Sequence, residues 1–298
     1  MTMLAEKKAF RTIVEVPKWA KQMQREHRFV LLGSCFAQYM GERFQSEGME
    51  TVCNPLGAAY NPESIRIQVK ESLSLALQRN SLPHPLQRRG ELPLFSLPVN
   101  RKEDGGQFTP PLEGKGEAVW RCWWANTLLS DTDEERFHET IHSTFSQLGD
   151  AIRKADWLFL TLGTSVCYRL KENGMIVTNC HKVPDKYFEE VRLDTEACTE
   201  TLCSMMELLA RECPKLQVVF TVSPYRYKKY GLHGSQLAKA TLLLAVDEVC
   251  KRFPDRAAYF PAYEIMLDEL RDYSFYADDM IHPAPAAVEH IWNRLWGR

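Results

Sequence analysis

The chain has 298 residues, 45% hydrophobic and 26% charged, with 37 Lys and Arg against 39 Asp and Glu for a formal charge of −2. A chain of this length buries about 75% of its unfolded surface, so a large core forms without disulfides and wholesale disorder is excluded. The balanced charge gives no electrostatic ground for nucleic acid or an anionic membrane as main partner.

The sequence opens Met-Thr-Met-Leu-Ala-Glu-Lys-Lys, without the apolar stretch and small-residue cleavage site of a secretory leader. No uncharged apolar run is long enough to cross a bilayer. Nine cysteines are scattered with no Cys-x-x-Cys pair, which argues against zinc or thioredoxin-like chemistry. Reduced thiols in a cytoplasmic protein are expected.

In chain order, 28–33 reads as a buried strand, followed by a helix with Phe36, Met40 and Phe44 on one stripe. Thr51–Cys53 is a short strand ending in Asn54-Pro55-Leu56-Gly57, and Ile65, Val69, Leu73, Ala76 and Leu77 then line a helix. Between about residues 80 and 124, prolines at 83, 85, 93, 98, 110 and 111 break the pattern. This stretch is expected to be an irregular insertion with a hairpin, either a lid beside a site or a packed surface loop. A helix carrying Phe137, Ile141, Phe145, Leu148 and Ile152 leads into 156–163, a continuous apolar strand covered on both faces. Val166–Leu170 and 175–178 flank Glu172-Asn173-Gly174 as a hairpin. A helix with Leu202, Met205, Met206 and Leu209, a strand at 216–222, a helix at 235–250, a strand at 257–260 and a last helix with Val288, Ile291, Trp292 and Leu295 complete the chain.

This alternation predicts one α/β domain over 1–298, a mainly parallel sheet with helices on both faces, carrying the insertion at about 80–124. The ligand crevice of such a sheet lies beyond the carboxyl ends of its strands. There the sequence places Gly33-Ser34-Cys35, 54–57, Gly163-Thr164-Ser165 and Ser223-Pro224.

Gly33-Ser34-Cys35-Phe36-Ala37 puts a hydroxyl and a thiol at a strand-to-helix turn, where backbone N–H groups and the helix dipole favour an anion. Alone, it also reads as a capping serine beside a buried cysteine. Near the C-terminus, Asp279 and His282 stand three apart, so one turn can supply a base and its orienter.

Together with Asn54-Pro55-x-Gly57, Tyr60-Asn61-Pro62, Thr161-Leu162-Gly163-Thr164, Asn179-Cys180-His181, Thr221-Val222-Ser223-Pro224, Tyr259 to Glu264, and the 272–283 stretch, these motifs resemble the GSCFA family. That family is a branch of the SGNH/GDSL hydrolase superfamily, and the resemblance runs over nearly the whole chain. It implies a three-layer α/β/α sandwich of flavodoxin-like type. It also implies a hydrolase (esterase) or acyltransferase acting on an acyl ester of a carbohydrate or small metabolite, with no metal or organic cofactor. Asp279 and His282 resemble the superfamily's Asp-x-x-His pair. Gly57 resembles the glycine whose N–H helps form the oxyanion hole, Ser165 stands where that hole's asparagine would be, and Asn54 or Asn179 is a further candidate donor. Aligned without a gap, Cys35 takes the nucleophile position; a one-residue slip gives it to Ser34. The helix-start argument favours Cys35 and predicts a thiol partly ionised near neutral pH.

His181 and Arg226 are candidate substrate-binding residues, each also readable as structural or solvated. The competing class is a non-catalytic ligand- or carbohydrate-binding protein that keeps the crevice. The strand-end rule predicts that Cys35, Gly57, Ser165 and His282 line one cleft and that the insertion borders it.

Overall fold

Apolar runs with no polar face can only be strands covered on both sides, and three such runs form the centre of the sheet. In the computed structural model, which describes residues 12–79, 92, 94–98 and 118–297, these are β1 (Phe29–Gly33), β5 (Trp157–Leu162) and β9 (Gln217–Val222), buried at every position. With β2 (Thr51–Cys53) and β10 (Ala257–Tyr259) they make an all-parallel sheet ordered β2-β1-β5-β9-β10. The connecting helices are α1 (Cys35–Ser46), α2 (Pro62–Arg79), α3 (Glu134–Lys154), α4 (Thr195–Glu212) and α5 (Gly231–Arg252). After β10 come a short α6 (Ala262–Glu264), a π-helical turn (Ile265–Glu269) and α7 (Pro285–Trp296).

Side chains alternate across the sheet as the strand period requires. Val30, Leu32, Leu158, Leu160, Leu162, Val218, Phe220 and Val222 pack against α2, α3, α4 and α5. Phe29, Leu31, Trp157, Phe159 and Val219 face the opposite way, against α1, α7 and the 265–270 turn. The result is a three-layer α/β/α sandwich. Fully burying each large apolar side chain contributes about 1.5–3 kcal/mol before entropy is counted. Among the described residues no helix is long and apolar enough to cross a membrane.

The chain runs from β1 outward to β2, then back across β1 to β5, so the winding direction reverses between β1 and β5. That reversal is the topological switch point, where open α/β sheets bind ligands. Gly33 closes β1 here with φ +133°, and a Cβ would lie 2.2 Å from the Thr161 carbonyl oxygen. Only glycine lets the two strand ends approach this closely.

Outside the sheet, β6 (Val166–Leu170) pairs antiparallel with β7 (Ile176–Val177), the expected hairpin. It also pairs with β8 (Phe188–Arg192), which the sequence pattern did not signal. The β8 segment Phe-Glu-Glu-Val-Arg lacks a clean alternation and is mostly exposed. Leu77, expected on the buried stripe of α2, is half exposed, although its neighbours Leu75 and Ala76 are buried. Within the insertion, β3 (Leu94–Pro98) and β4 (Ala118–Cys122) form an antiparallel hairpin. Apart from Leu92, Trp123 and Trp124, the remainder of the insertion, including the prolines at 83, 85, 93, 110 and 111, lies outside the described residues, and its expected border with the cleft falls there.

Candidate active site

Ser34 and Cys35 leave β1 at the switch point with opposite fates. Ser34 is fully buried; it caps α1, its hydroxyl accepting the Phe36 N–H at 3.3 Å, while its own N–H donates to Thr161 O at 3.0 Å. Cys35 opens the helix and lines a cavity of about 300 Å³ with Tyr60, Tyr225, Tyr227, Lys228, Lys229 and His282. Of the two nucleophile candidates, only Cys35 reaches this cavity. Burial pushes its thiol above the ordinary range; Lys239 and the N–H groups of Phe36 and Cys35 itself pull it down, and Asp279 adds to the rise. The thiolate-favouring groups expected at a helix start are present, but desolvation outweighs them. This corrects the expectation of a thiol partly ionised near neutral pH.

The Asp279–His282 pair forms within one turn, as the spacing suggested. Asp279 Oδ1 accepts the backbone N–H groups of Ile281 and His282 at 2.8 and 3.0 Å. Its Oδ2 lies 2.6 Å from His282 Nδ1. That contact places the imidazole proton on Nδ1 and leaves Nε2 as the ring's acceptor. The His282 side chain and these backbone groups hold the Asp279 carboxyl down at about 2. The Tyr225 ring packs on the imidazole, centroids 4.7 Å apart. Lys228 Nζ donates to Asp279 O at 3.0 Å.

Arg226 lies in an adjoining cleft of about 510 Å³, with Tyr225 on the wall shared by the two. Its backbone N–H donates to Ile281 O at 3.1 Å and its guanidinium to Met280 O at 3.4 Å. The guanidinium also sits 5.2 Å from the Tyr276 ring centroid. It therefore braces the Asp279–His282 loop and is not on the wall of the Cys35 cavity.

Four other expectations are corrected. Gly57 does not line the cavity: its N–H closes a turn onto Asn54 O at 2.8 Å. Ser165 is fully buried, its hydroxyl without a hydrogen-bond partner. The cause is local, since Gly163 and Thr164 both donate to Tyr60 O and β6 begins one residue later, drawing Ser165 into the body. His181 is also buried, with Nε2 2.8 Å from Cys122 O and Nδ1 3.0 Å from Thr127 Oγ1. Burial pushes it down to about 4, so it is a neutral structural histidine tying its loop to the end of β4. Asn54, expected as an oxyanion donor, is likewise not on the cavity wall; its Oδ1 accepts the Gly33 N–H at 2.9 Å and supports the end of β1. The backbone N–H of Cys35, at the start of α1, lies beside its own thiol and is a helix-start donor for an oxyanion formed there.

The sequence reading missed the cavity-wall residues Tyr60, Tyr225, Tyr227, Lys228 and Lys229, and one buried lysine. Lys239 on α5 is buried, its Nζ donating to Gly163 O and Ser223 O, both at 2.7 Å. The available signal was a lone lysine on the stripe carrying Ser235, Leu242 and Val246. Among the described residues no group of three or more His, Cys, Asp or Glu side chains is placed to hold a metal ion.

Fold and site together define an α/β/α protein with a thiol and an Asp-oriented imidazole meeting at the switch point of a parallel sheet. The pattern of the GSCFA family matches residues 28–89 and 105–295, and the chain belongs to that family. No curated protein matches it. Among solved structures, it is similar to an acetyl xylan esterase (Est2A) from the rumen bacterium Butyrivibrio proteoclasticus, with 13% identity and a TM-score of 0.30. The similarity covers 48% of this chain and only 36% of the esterase, too slight a likeness to transfer an activity.

Proposed function

We propose that the protein is an SGNH-type hydrolase or acyltransferase that acts on an acyl ester of a carbohydrate or small metabolite. Cys35 Sγ attacks the acyl carbon while His282 Nε2 takes the thiol proton and Asp279 holds Nδ1–H. The tetrahedral oxyanion forms against the N–H at the start of α1. His282 then protonates the departing alcohol, leaving an acyl-thioester on Cys35. Water completes hydrolysis, or an acceptor hydroxyl completes transfer.

What carries this reading is the shared cavity of Cys35 and His282, with Asp279 2.6 Å from the imidazole's other nitrogen. The raised thiol makes the base essential, because the proton has to leave as attack occurs. The reading takes 1–298 as one domain, and free thiols at all nine cysteines fit a cytoplasmic location.

The non-catalytic binder is favoured by one observation: neither Gly57 nor Ser165 is on the cavity wall. A panel of acyl esters and thioesters, run on the wild-type protein and on Cys35→Ala and His282→Ala, separates the two. Turnover lost in both variants supports the enzyme. Saturable ligand binding with no turnover of any panel member supports the binder.

A further inference from the structure

The acyl-transfer scheme leaves one buried titratable group unused beneath the same cavity. Lys239 is 1% exposed, and its ammonium is satisfied by only two carbonyl oxygens, Gly163 O and Ser223 O, at 2.7 Å each. Both acceptors belong to the segments that build the cavity wall. The Gly163 N–H donates to Tyr60 O at 2.7 Å, and Ser223 Oγ accepts the Tyr225 N–H at 3.3 Å. Tyr60 and Tyr225 line the cavity beside Cys35. Among the described residues, the Cys35 thiol on α1 acts electrostatically on the ammonium, and the Tyr263 ring centroid on α6 is 5.7 Å from it. A cation buried without a carboxylate is costly to keep and calls for a negative partner.

We propose that Lys239 is a positioning residue of the Cys35 centre, supplying in its protonated form the positive charge against which the thiolate forms. It rests on Cys35 being the reacting thiol. In the step, the Sγ proton passes to His282 Nε2, the sulfur electron pair forms the bond to the acyl carbon, and Lys239 keeps its protons. Reciprocal electrostatics support the pairing. Burial pushes Lys239 down to about 7 while Cys35 draws it back up, and Lys239 opposes the rise that burial imposes on Cys35.

Alkylation of Cys35 by iodoacetamide across a pH series, followed by peptide mass spectrometry, tests this without any turnover. The His282→Ala protein is the parent, because removing the imidazole leaves Lys239 as the near-neutral group beside the thiol. Asp279 keeps the two backbone N–H groups that lower it, whereas Tyr60, Tyr225, Tyr227 and Lys229 are raised. The expected rate climbs to about pH 7, levels as Lys239 loses its proton, and rises again only in alkali. A rate that climbs without a break through neutrality overturns the proposal. Adding Lys239→Gln keeps N–H donors for the two carbonyls but removes the charge. The plateau should vanish and alkylation at about pH 7 should slow about tenfold. A profile identical to the parent's would reduce Lys239 to a stitch between strand ends. If the double variant does not fold, the parent profile alone decides. Ester turnover is read separately: the expected profile without turnover of any ester sinks only the hydrolase reading.

Discussion

At the residue scale, the divergence of Ser34 and Cys35 sets two opposite mutational outcomes. Ser34→Ala removes a helix cap and should cost about 1 kcal/mol in urea unfolding with ester turnover retained. Cys35→Ala should leave stability nearly unchanged and abolish turnover. An inactive Ser34→Ala protein at full stability would hand the nucleophile to the serine. Asp279 gives a second outcome. Its folded value of about 2 lies below the ordinary carboxylate range, so its hold on His282 is complete above that range and lost only as pH falls through about 2. Any acid loss of turnover above about pH 4 therefore does not come from Asp279. Asp279→Asn should lower kcat by on the order of 10⁴ through the wrong imidazole tautomer while leaving the acid limb in place.

At the element scale, the 225–230 segment turns from β9 over the cavity and brings Lys228 and Lys229 to its wall. Lys229 is shared with Tyr168 and Glu190, whereas Lys228 is held by a backbone oxygen. The mouth should favour anionic reagents. The ratio of iodoacetate to iodoacetamide rates at Cys35 should exceed that of a free small thiol. It should fall with added salt, which screens exposed charges strongly and buried ones weakly. Lys228→Ala should lower that ratio several-fold; a ratio indifferent to both salt and Lys228 would remove any role for this wall in selecting charge. The same elements explain why Arg226 is not a ligand-binding residue of this cavity. It is bound to the 280–281 carbonyls, so it fixes the loop on which His282 rides.

For the whole molecule, the buried His181 couples pH to stability. Its folded value is lowered to about 4 by burial, so the unfolded chain binds its proton first as pH falls. Stability should be full above about pH 6.5 and decline by up to about 3 kcal/mol on the way to pH 4. Urea midpoints across that range should show the slope in the wild type and a shallower one in His181→Gln. Equal slopes would place the acid sensitivity elsewhere.

Local order in the chain already determined the layer architecture. Continuous apolar runs at β1, β5 and β9 admit only a sheet covered on both faces, and the helices between them make it parallel. The Asp279–His282 pair was legible for the same reason, since three residues in one turn need no distant partner. Cys35 as the cavity-facing member of its motif was half legible, because the sequence shows two adjacent side chains but not which one the cap turns inward. The remaining decisions were made by tertiary contacts. Ser165 and Gly57 left the cavity because Tyr60 and Asn54 claimed the neighbouring backbone groups. Strand β8 exists because β6 had an unpaired edge to offer it. Lys239 reads as one lysine among many on a helix; its acceptors lie 76 and 16 residues away, at the ends of two strands. Only packing α5 against the sheet brings its charge beneath Cys35.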